Sequence, residues 1–199
     1  MLRCNESPQT VGEGGDVQVA ENGCFAVGSL ALNLDENRKE LVLVGACEVV
    51  VNVLKKIGFE LVQVAVQASI AIQNLANDDS IMEELVRHGA REATVETLQR
   101  FGEKCANIAE YGCGAIVVLA RNGVTPKVLG RIGACEAAVK SLQSFGTENV
   151  KVAESGFSVI VVLASDNHSL LPKQLGQIGR MWRCGQCVEE VWHREHWSC

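Results

Sequence analysis

The chain has 199 residues, of which 47% are hydrophobic, and this is enough for one folded domain with a continuous core. Its net charge of −6 at pH 7 disfavours a nucleic-acid partner, because proteins that follow a phosphate backbone usually carry a basic face. No apolar run reaches the ~20 residues of a membrane-spanning helix, and no basic segment followed by an apolar run marks a secretory signal, so we expect a soluble protein with no membrane contact.

The first residues differ in composition from the rest of the chain. They contain proline, glycine and glutamate and offer too little apolar surface to offset the entropy of ordering, so we predict a disordered N-terminal tail over residues 1–17. The glycine-rich run at residues 12–15 lacks the lysine that follows in a phosphate-binding loop. No cofactor is therefore predicted.

A pattern with a period of 44 residues occupies most of the remaining chain. The tetrapeptide Gly-Ala-x-Glu begins at Gly45, Gly89 and Gly133, and leucine and alanine recur in phase on both sides of it. Such a fixed period is the signature of stacked repeats. The sequence divides into a partial repeat at 18–33, full repeats at 34–77, 78–121 and 122–165, and a partial repeat at 166–179.

Each full repeat is predicted to hold three helices. A short helix precedes the tetrapeptide, as at residues 80–88, and a middle helix with apolar residues at helical spacing follows it. The third helix, as at residues 62–74, is apolar over most of its circumference, which is expected of a helix between neighbouring repeats.

The ends of these helices also carry signals. Asp79-Ser80 and Thr125-Pro126 are predicted helix starts, because a short polar side chain caps free amides and proline fits the first turn. Glycine follows each middle helix, and a left-handed conformation is expected there, as at many helix ends. These glycines are Gly58, Gly102 and Gly146.

A unit with a short helix, a Gly-Ala junction, a middle helix and a long helix ending in Asn-Leu-Ala resembles the armadillo repeat. The best match runs from residues 43–48 to residues 71–76, and the resemblance covers roughly residues 18–179. It implies an all-α fold, a right-handed superhelical α-solenoid of three-helix repeats, that binds a protein or peptide along the concave surface of its third helices. HEAT repeats are the nearest alternative.

Importin-type members of that family carry a ladder of tryptophans and asparagines on the third helix. Only Asn74 keeps a ladder residue here, so a receptor for basic nuclear-localisation signals is not expected. The ladder positions correspond to Phe25, Ile70, Gly114 and Ser158, and to Ser29, Asn74, Val118 and Val162.

One turn earlier on the same helices, glutamate recurs, and this predicts an acidic, partly polar stripe that favours a basic or mixed partner. The alternative is that these glutamates only mark a solvated helix face. The residues predicted to contact the partner are Glu21, Asn22, Phe25, Gln67, Ile70, Asn74, Glu110, Tyr111, Glu154 and Ser155.

Catalysis is not expected, because no histidine stands beside a recognisable nucleophile or acid–base partner. His88 takes the repeat position of Val44 and Ile132, so we interpret it as a partly buried packing residue. We therefore expect that the protein is not an enzyme.

The cysteines indicate the compartment. An odd total of 9 in a chain of this length favours a reducing cytoplasm, or a nucleus, over a secreted disulfide framework. Cys24 and Cys113 share one repeat position and Cys47 and Cys135 share another, so we expect small apolar packing residues. A redox role stays open for Cys105 and for the N-terminal Cys4.

The C-terminal segment leaves the repeat pattern after Gly179. Five residues of metal-ligand type follow. Only 5 residues separate the cysteine pair 184/187 from the histidine pair 193/196, whereas finger-like zinc sites usually leave about 12 or more residues between the two ligand pairs. No metal site is therefore assigned. We favour a capping segment over residues 180–199 that covers the apolar end of the stack. The residues in question are Cys184, Cys187, His193, His196 and Cys199 for the metal, and Trp182, Val188, Val191 and Trp192 for the cap.

The function predicted from the sequence is that of a non-catalytic protein-interaction scaffold. Two alternatives stay open: the regulatory array of a larger signalling enzyme, such as a kinase or ubiquitin ligase, and a zinc-binding module at the C-terminus. Three full repeats are also near the minimum for a stable stack, so the exposed ends are expected either to favour self-association or to require the partner.

Overall fold

The structure, a computed structural model, describes residues 14–32, 34–121 and 125–164, and these residues form only helices and the turns between them. The predicted all-α class is confirmed. The middle helix α3 continues into one π-helical turn, Leu54–Gly58. The α-helices are α1 Gly14–Ala31, α2 Asp35–Leu43, α3 Ala46–Val53, α4 Val62–Leu75, α5 Asp79–Arg87, α6 Ala90–Phe101, α7 Ala106–Leu119, α8 Thr125–Arg131, α9 Ala134–Phe145 and α10 Val150–Ala164.

The helices form three sets that follow the sequence period. The short helices are α2, α5 and α8, the middle helices are α3, α6 and α9, and the long helices are α4, α7 and α10, with α1 as the long helix of the partial repeat. The long helices pack side by side in the order α1, α4, α7, α10, and α6 packs between the π turn and α9. Each repeat therefore contacts its neighbours in a stack, as in a solenoid.

The core lies between the middle and long helices. Leu98 and Leu142 of the middle helices are fully buried at equivalent positions, and burial of a leucine side chain contributes about 1.5–3 kcal/mol. They pack directly on the backbone of the long helices, where a Cβ at Gly112 would lie 3.2 Å from Leu98 Cδ1 and a Cβ at Gly156 only 2.7 Å from Leu142 Cγ. The glycines of the long helices thus serve close helix packing.

The left-handed glycines differ from those predicted. Gly102 and Gly146 have right-handed φ values of −60° and −65°, and Gly58 is also absent from the positive-φ glycines, so the expectation for these positions was wrong. The left-handed residues are instead the first residues of the three tetrapeptides. They are Gly45, Gly89 and Gly133, with φ of 82°, 85° and 89°.

The reason lies in the turn between the short and middle helices. Only two residues separate the short helix from the middle helix, as at His88 and Gly89, and a left-handed conformation at the second of them costs a residue with a Cβ about 1–2 kcal/mol. Gly102 stays glycine for lack of space instead, because a Cβ on it would lie 2.5 Å from both the Leu98 carbonyl oxygen and Ser141 Oγ.

Two side chains join successive repeats at this junction. Lys55 Nζ donates to the His88 carbonyl oxygen at 2.7 Å, and Gln99 Nε2, 44 residues further on than Lys55, donates to the Ile132 carbonyl oxygen at 3.0 Å. Each crosses a glycine, since a Cβ on Gly89 or Gly133 would lie 2.7 Å from the donating nitrogen. The same glycine therefore allows both the turn and the inter-repeat hydrogen bond.

Helix α1 begins inside the segment that was predicted to be disordered. Residues 14–17 are helical, so the predicted tail was wrong for these four residues, and Val17 is partly buried. Residues 1–13 and the predicted segments 166–179 and 180–199 lie outside the described residues. The repeat boundaries stay a prediction.

Candidate protein-binding surface

One face of each long helix is left open by the packing. On α4 this face carries Gln63, Gln67, Ile70 and Asn74, which follow one another at helical spacing and are all partly exposed, whereas the opposite side is buried. Because the long helices lie side by side, equivalent residues of α1, α7 and α10 continue the same face.

We call this face the long-helix surface and define it by three rows of equivalent residues, all at least partly exposed. Its side chains are mainly amides and hydroxyls, with an aromatic ring at each of two positions. The rows are Gln18, Gln63, Asn107 and Lys151; Asn22, Gln67, Tyr111 and Ser155; and Phe25, Ile70, Gly114 and Ser158.

Asn74, the one ladder residue found in the sequence, forms a hydrogen bond between two helices of the stack. Its Nδ2 donates to the Gly28 carbonyl oxygen of α1 at 2.9 Å. Gly28 lies close to α4, since a Cβ on it would be 3.4 Å from the Ala71 backbone. The amide nitrogen of Asn74 therefore joins two long helices, and its equivalent on α7, Val118, is buried.

Gly114 stands where the tryptophan ladder would continue on α7. A Cβ on it would lie 2.8 Å from both polar atoms of the Gln73 side-chain amide, so Gln73 of α4 lies across this glycine. A larger side chain at this position would require the flexible Gln73 side chain to move. At this position the surface therefore presents the Gln73 side-chain amide of α4 where a tryptophan ring of the ladder would lie.

Two amide oxygens of α4 lack hydrogen-bond donors. Oε1 of Gln63 and Oε1 of Gln67 are shielded from solvent and accept no hydrogen bond from the described residues. An unpaired buried acceptor costs about 1–3 kcal/mol. Each glutamine is partly exposed as a whole, and its oxygen can reach a partner only after the terminal amide rotates.

The predicted acidic stripe is partly neutralised. Lys151 Nζ of α10 lies 3.6 Å from Glu110 Oε1 of α7, and the Glu110 side chain is only 14% exposed. Glu154 is exposed and Glu21 partly so, and neither forms an ion pair with a described residue. Val66, the equivalent residue of α4, is buried, so the stripe is interrupted there.

Most predicted contact residues lie on the long-helix surface, but the four members of its first row were not predicted. The sequence carries the signal for them, because Gln18, Gln63, Asn107 and Lys151 stand at one repeat position and are all polar. Only Gln18 is bonded within its helix, its Nε2 donating to Asn22 Oδ1 at 3.2 Å. These four residues lie one helical turn before the predicted contact residues on each long helix.

The described cysteines do not form a reactive site. Burial raises the pKa of Cys24 and Cys47 to about 11 and that of Cys113 to about 12, so these thiols stay protonated near neutral pH. Burial also raises the pKa of Cys135, and all of these thiols are free. Cys105 is 2% exposed, and Cys4 lies outside the described residues.

Other chemistry receives no support from the described residues. His88 is partly buried at the end of α5, with Nε2 3.0 Å from Glu84 Oε1, as its packing position suggested. Within residues 14–32, 34–121 and 125–164, side chains of metal-ligand type form no group that could hold an ion, and none of the helices there is long and apolar enough to cross a membrane. The five ligand-type residues from Cys184 to Cys199 lie beyond these ranges.

Comparison with solved structures identifies this arrangement of helices. An engineered protein from the Northeast Structural Genomics Consortium superposes with a TM-score of 0.74 at 22% sequence identity, over 90% of this chain and 74% of that one. A designed armadillo repeat protein superposes with a TM-score of 0.64 at 20% identity, over 89% of this chain and 66% of that one. The chain has an armadillo-type helical repeat fold. The predicted α-solenoid of armadillo-type repeats is thereby confirmed.

At these identities the likeness establishes the fold alone. No family model and no curated protein matches the sequence. What the surface binds must therefore be argued from its own residues.

Proposed function

We propose that this armadillo-type stack is a non-catalytic scaffold that holds an extended segment of a partner protein along the long-helix surface. The observation that carries the proposal is the alignment of four long helices, which places equivalent polar side chains in rows across the stack. A bound segment that crosses these helices meets one member of each row per repeat.

The amides suit a partner that is read mainly through its backbone. A glutamine or asparagine side chain offers both a donor and an acceptor, which matches the N–H and C=O groups of an extended peptide. The unpaired oxygens of Gln63 and Gln67 lie in the middle of this surface, and a partner N–H would satisfy each of them. Affinity is therefore expected to depend on these two residues.

The charges favour a basic or mixed segment. Glu154 at one end of the rows and Glu21 at the other carry carboxylates without a described cation, whereas Glu110 is already held by Lys151. Lysine or arginine in the partner is expected to face the two free carboxylates. Exposed charges of this kind set partner choice and association rate more than affinity.

No reaction and no cofactor belong to the proposal. Burial raises the pKa of the Cys24, Cys47 and Cys113 thiols to about 11, 11 and 12, and the one described histidine lies at the end of the short helix α5, not on the long-helix surface. A cytoplasmic or nuclear location belongs to the same proposal, because the described cysteines are free and buried or partly buried.

The test is selection from a displayed library of random peptides, followed by affinity measurements on one selected peptide with the purified chain. Gln63→Ala combined with Gln67→Ala is expected to weaken binding about tenfold, the equivalent of ~1.4 kcal/mol. Gln143→Ala serves as the control, since this exposed glutamine lies on the middle helix α9. Equal binding by the double variant and the control, with unchanged helical circular dichroism, would refute the assignment of the surface.

A second pair of variants tests the charge preference. Glu154→Lys with Glu21→Lys is expected to weaken binding of lysine- or arginine-containing peptides, and the effect should shrink at high salt. Glu60→Lys with Glu83→Lys makes the same charge change on exposed residues away from the long helices. Loss of binding in both pairs would show only a dependence on net charge.

A further inference from the structure

The third row of the long-helix surface is apolar at one end of the stack. Its members are Phe25 on α1, Ile70 on α4, Gly114 on α7 and Ser158 on α10, so the two large apolar side chains precede two small residues. Phe25 is 59% exposed, and Ile70 is partly exposed. A partner segment that crosses the four helices therefore meets the large apolar members of this row only on α1 and α4.

Phe25 and Ile70 lie at the contact between their two helices. A Cβ on Gly28 would be 3.5 Å from Ile70 Cγ2, so the Ile70 side chain lies against the α1 backbone at this glycine. Phe25 precedes Gly28 by three residues, and residues three apart are neighbours on a helix surface. Phe25 and Ile70 thus occupy adjacent positions across the α1/α4 contact, and we call them the apolar pair.

The contact between α4 and α7 presents polar atoms instead. Gln73 of α4 lies across Gly114 of α7, with both polar atoms of its amide 2.8 Å from a Cβ on this glycine. Burial of an amide under an apolar group costs free energy unless the amide keeps a hydrogen bond. A large apolar side chain of the partner is therefore accommodated at the apolar pair and disfavoured at Gln73.

A carboxylate accompanies the apolar pair. Glu21 precedes Phe25 by four residues, so both lie on the same face of α1. Glu21 is partly exposed and forms no ion pair with a described residue. Lysine and arginine complement both groups, because their methylene stems cover an aromatic ring while the charged head reaches a carboxylate. An apolar residue next to a basic one is thus the chemistry that matches this end of the surface.

We infer that the partner segment carries a large apolar side chain next to a lysine or arginine, that the apolar side chain packs on Phe25 and Ile70, and that each segment therefore crosses the stack in one direction only. This inference rests on the proposed function. It adds the side chain that is recognised and the direction of binding.

The first test uses peptides selected from a displayed random library on the wild-type chain. The selected peptides are expected to share a large apolar residue with a lysine or arginine nearby. Selection on Glu21→Gln is expected to lose the basic residue and keep the apolar one. Peptides without a shared apolar residue would overturn the inference.

The second test measures the affinity of one selected peptide. Phe25→Ser is expected to weaken its binding about fivefold, because part of the apolar contact is lost. Replacement of the apolar peptide residue by alanine is expected to weaken binding to wild type at least as much and to have a smaller effect on Phe25→Ser, since the two changes remove the same contact. Leu43→Ser is the matched control, because Leu43 is 79% exposed on the short helix α2, and it is expected to bind like wild type. Circular dichroism verifies that both variants keep their helix content.

The direction of binding is measured on the unaltered chain by methyl-detected NMR, with a spin label on either end of the selected peptide. The label nearer the apolar peptide residue is expected to broaden the Ile70 methyl resonances. The label on the other end is expected to broaden those of Val117, the equivalent of Gln73 on α7. Equal broadening of both residues by either label would overturn the single direction.

The outcomes separate this inference from the proposed function. A peptide that responds to Gln63→Ala with Gln67→Ala but binds Phe25→Ser as tightly as wild type would overturn the inference alone. If no peptide is selected, or if the selected peptides bind the Gln63/Gln67 double variant as tightly as wild type, the proposed function fails and this inference fails with it.

Discussion

Replacement of Gly89 by alanine should reveal the double role of the junction glycine. The left-handed φ of 85° costs alanine about 1–2 kcal/mol, and its Cβ would lie 2.7 Å from Lys55 Nζ, which must then leave the His88 carbonyl oxygen. Loss of this exposed hydrogen bond costs ~0.5–1.5 kcal/mol, so Gly89→Ala is expected to lower the free energy of unfolding by about 1.5–3.5 kcal/mol.

The two contributions are separable in a double-mutant cycle. Lys55→Ala removes the hydrogen bond in advance, so Gly89→Ala in that background is expected to cost only the ~1–2 kcal/mol of backbone strain. Urea denaturation followed by circular dichroism at a helix wavelength measures all four proteins. Gly45→Ala is the structural control, because its φ is 82° but nothing lies near the new Cβ. An equal cost of Gly89→Ala in both backgrounds would refute the reasoning.

Three further predictions concern single residues. Asp78 caps α5 by accepting from the Ser80 amide at 2.9 Å, and hydrogen bonds from Ser80 lower the pKa of its carboxyl, so Asp78→Ala is expected to cost ~1 kcal/mol in thermal or urea unfolding. This stabilisation is present above the unfolded pKa of about 3.9 and is lost as pH falls through the lower folded value, so that part of the pH dependence should vanish in Asp78→Asn. Cys113, whose pKa is raised to about 12, should react with iodoacetamide only on unfolding, as mass spectrometry of the labelled peptide would show, and labelling of the native state would contradict its burial. Asn74→Ala should cost ~1 kcal/mol through the lost bond to α1, measured by urea unfolding, and no change would show that this bond is dispensable.

The sequence predicted the helices well because the repeat gives each element three times. The short helix expected at residues 80–88 is found at Asp79–Arg87, and the long helix expected at 62–74 is found at Val62–Leu75. The predicted start at Thr125 is also observed. Where one copy is ambiguous, the others fix the phase of the apolar face.

The errors come from properties that periodicity does not report. The repeat spacing of Gly102 is the same whether glycine is needed there for a left-handed turn or for lack of space. Only the short distances from a Cβ on Gly102 to Leu98 and Ser141 show that lack of space is the reason. Residues 14–17 are helical despite two glycines and an aspartate among them, so composition alone misplaced the start of α1. The pairing of Glu110 with Lys151 joins residues of different repeats and different rows, so no single repeat position indicates it.

The central claim is that a partner segment lies across the long helices. Methyl-detected NMR of the full-length chain, titrated with a peptide selected from a random library, tests this most directly. The account predicts that the Ile70 methyl resonances on the long-helix surface shift on binding, while those of Ile81, buried in the short helix α5, stay in place. Shifts in the short helices with Ile70 unchanged would contradict it and place the binding site on another face of the stack.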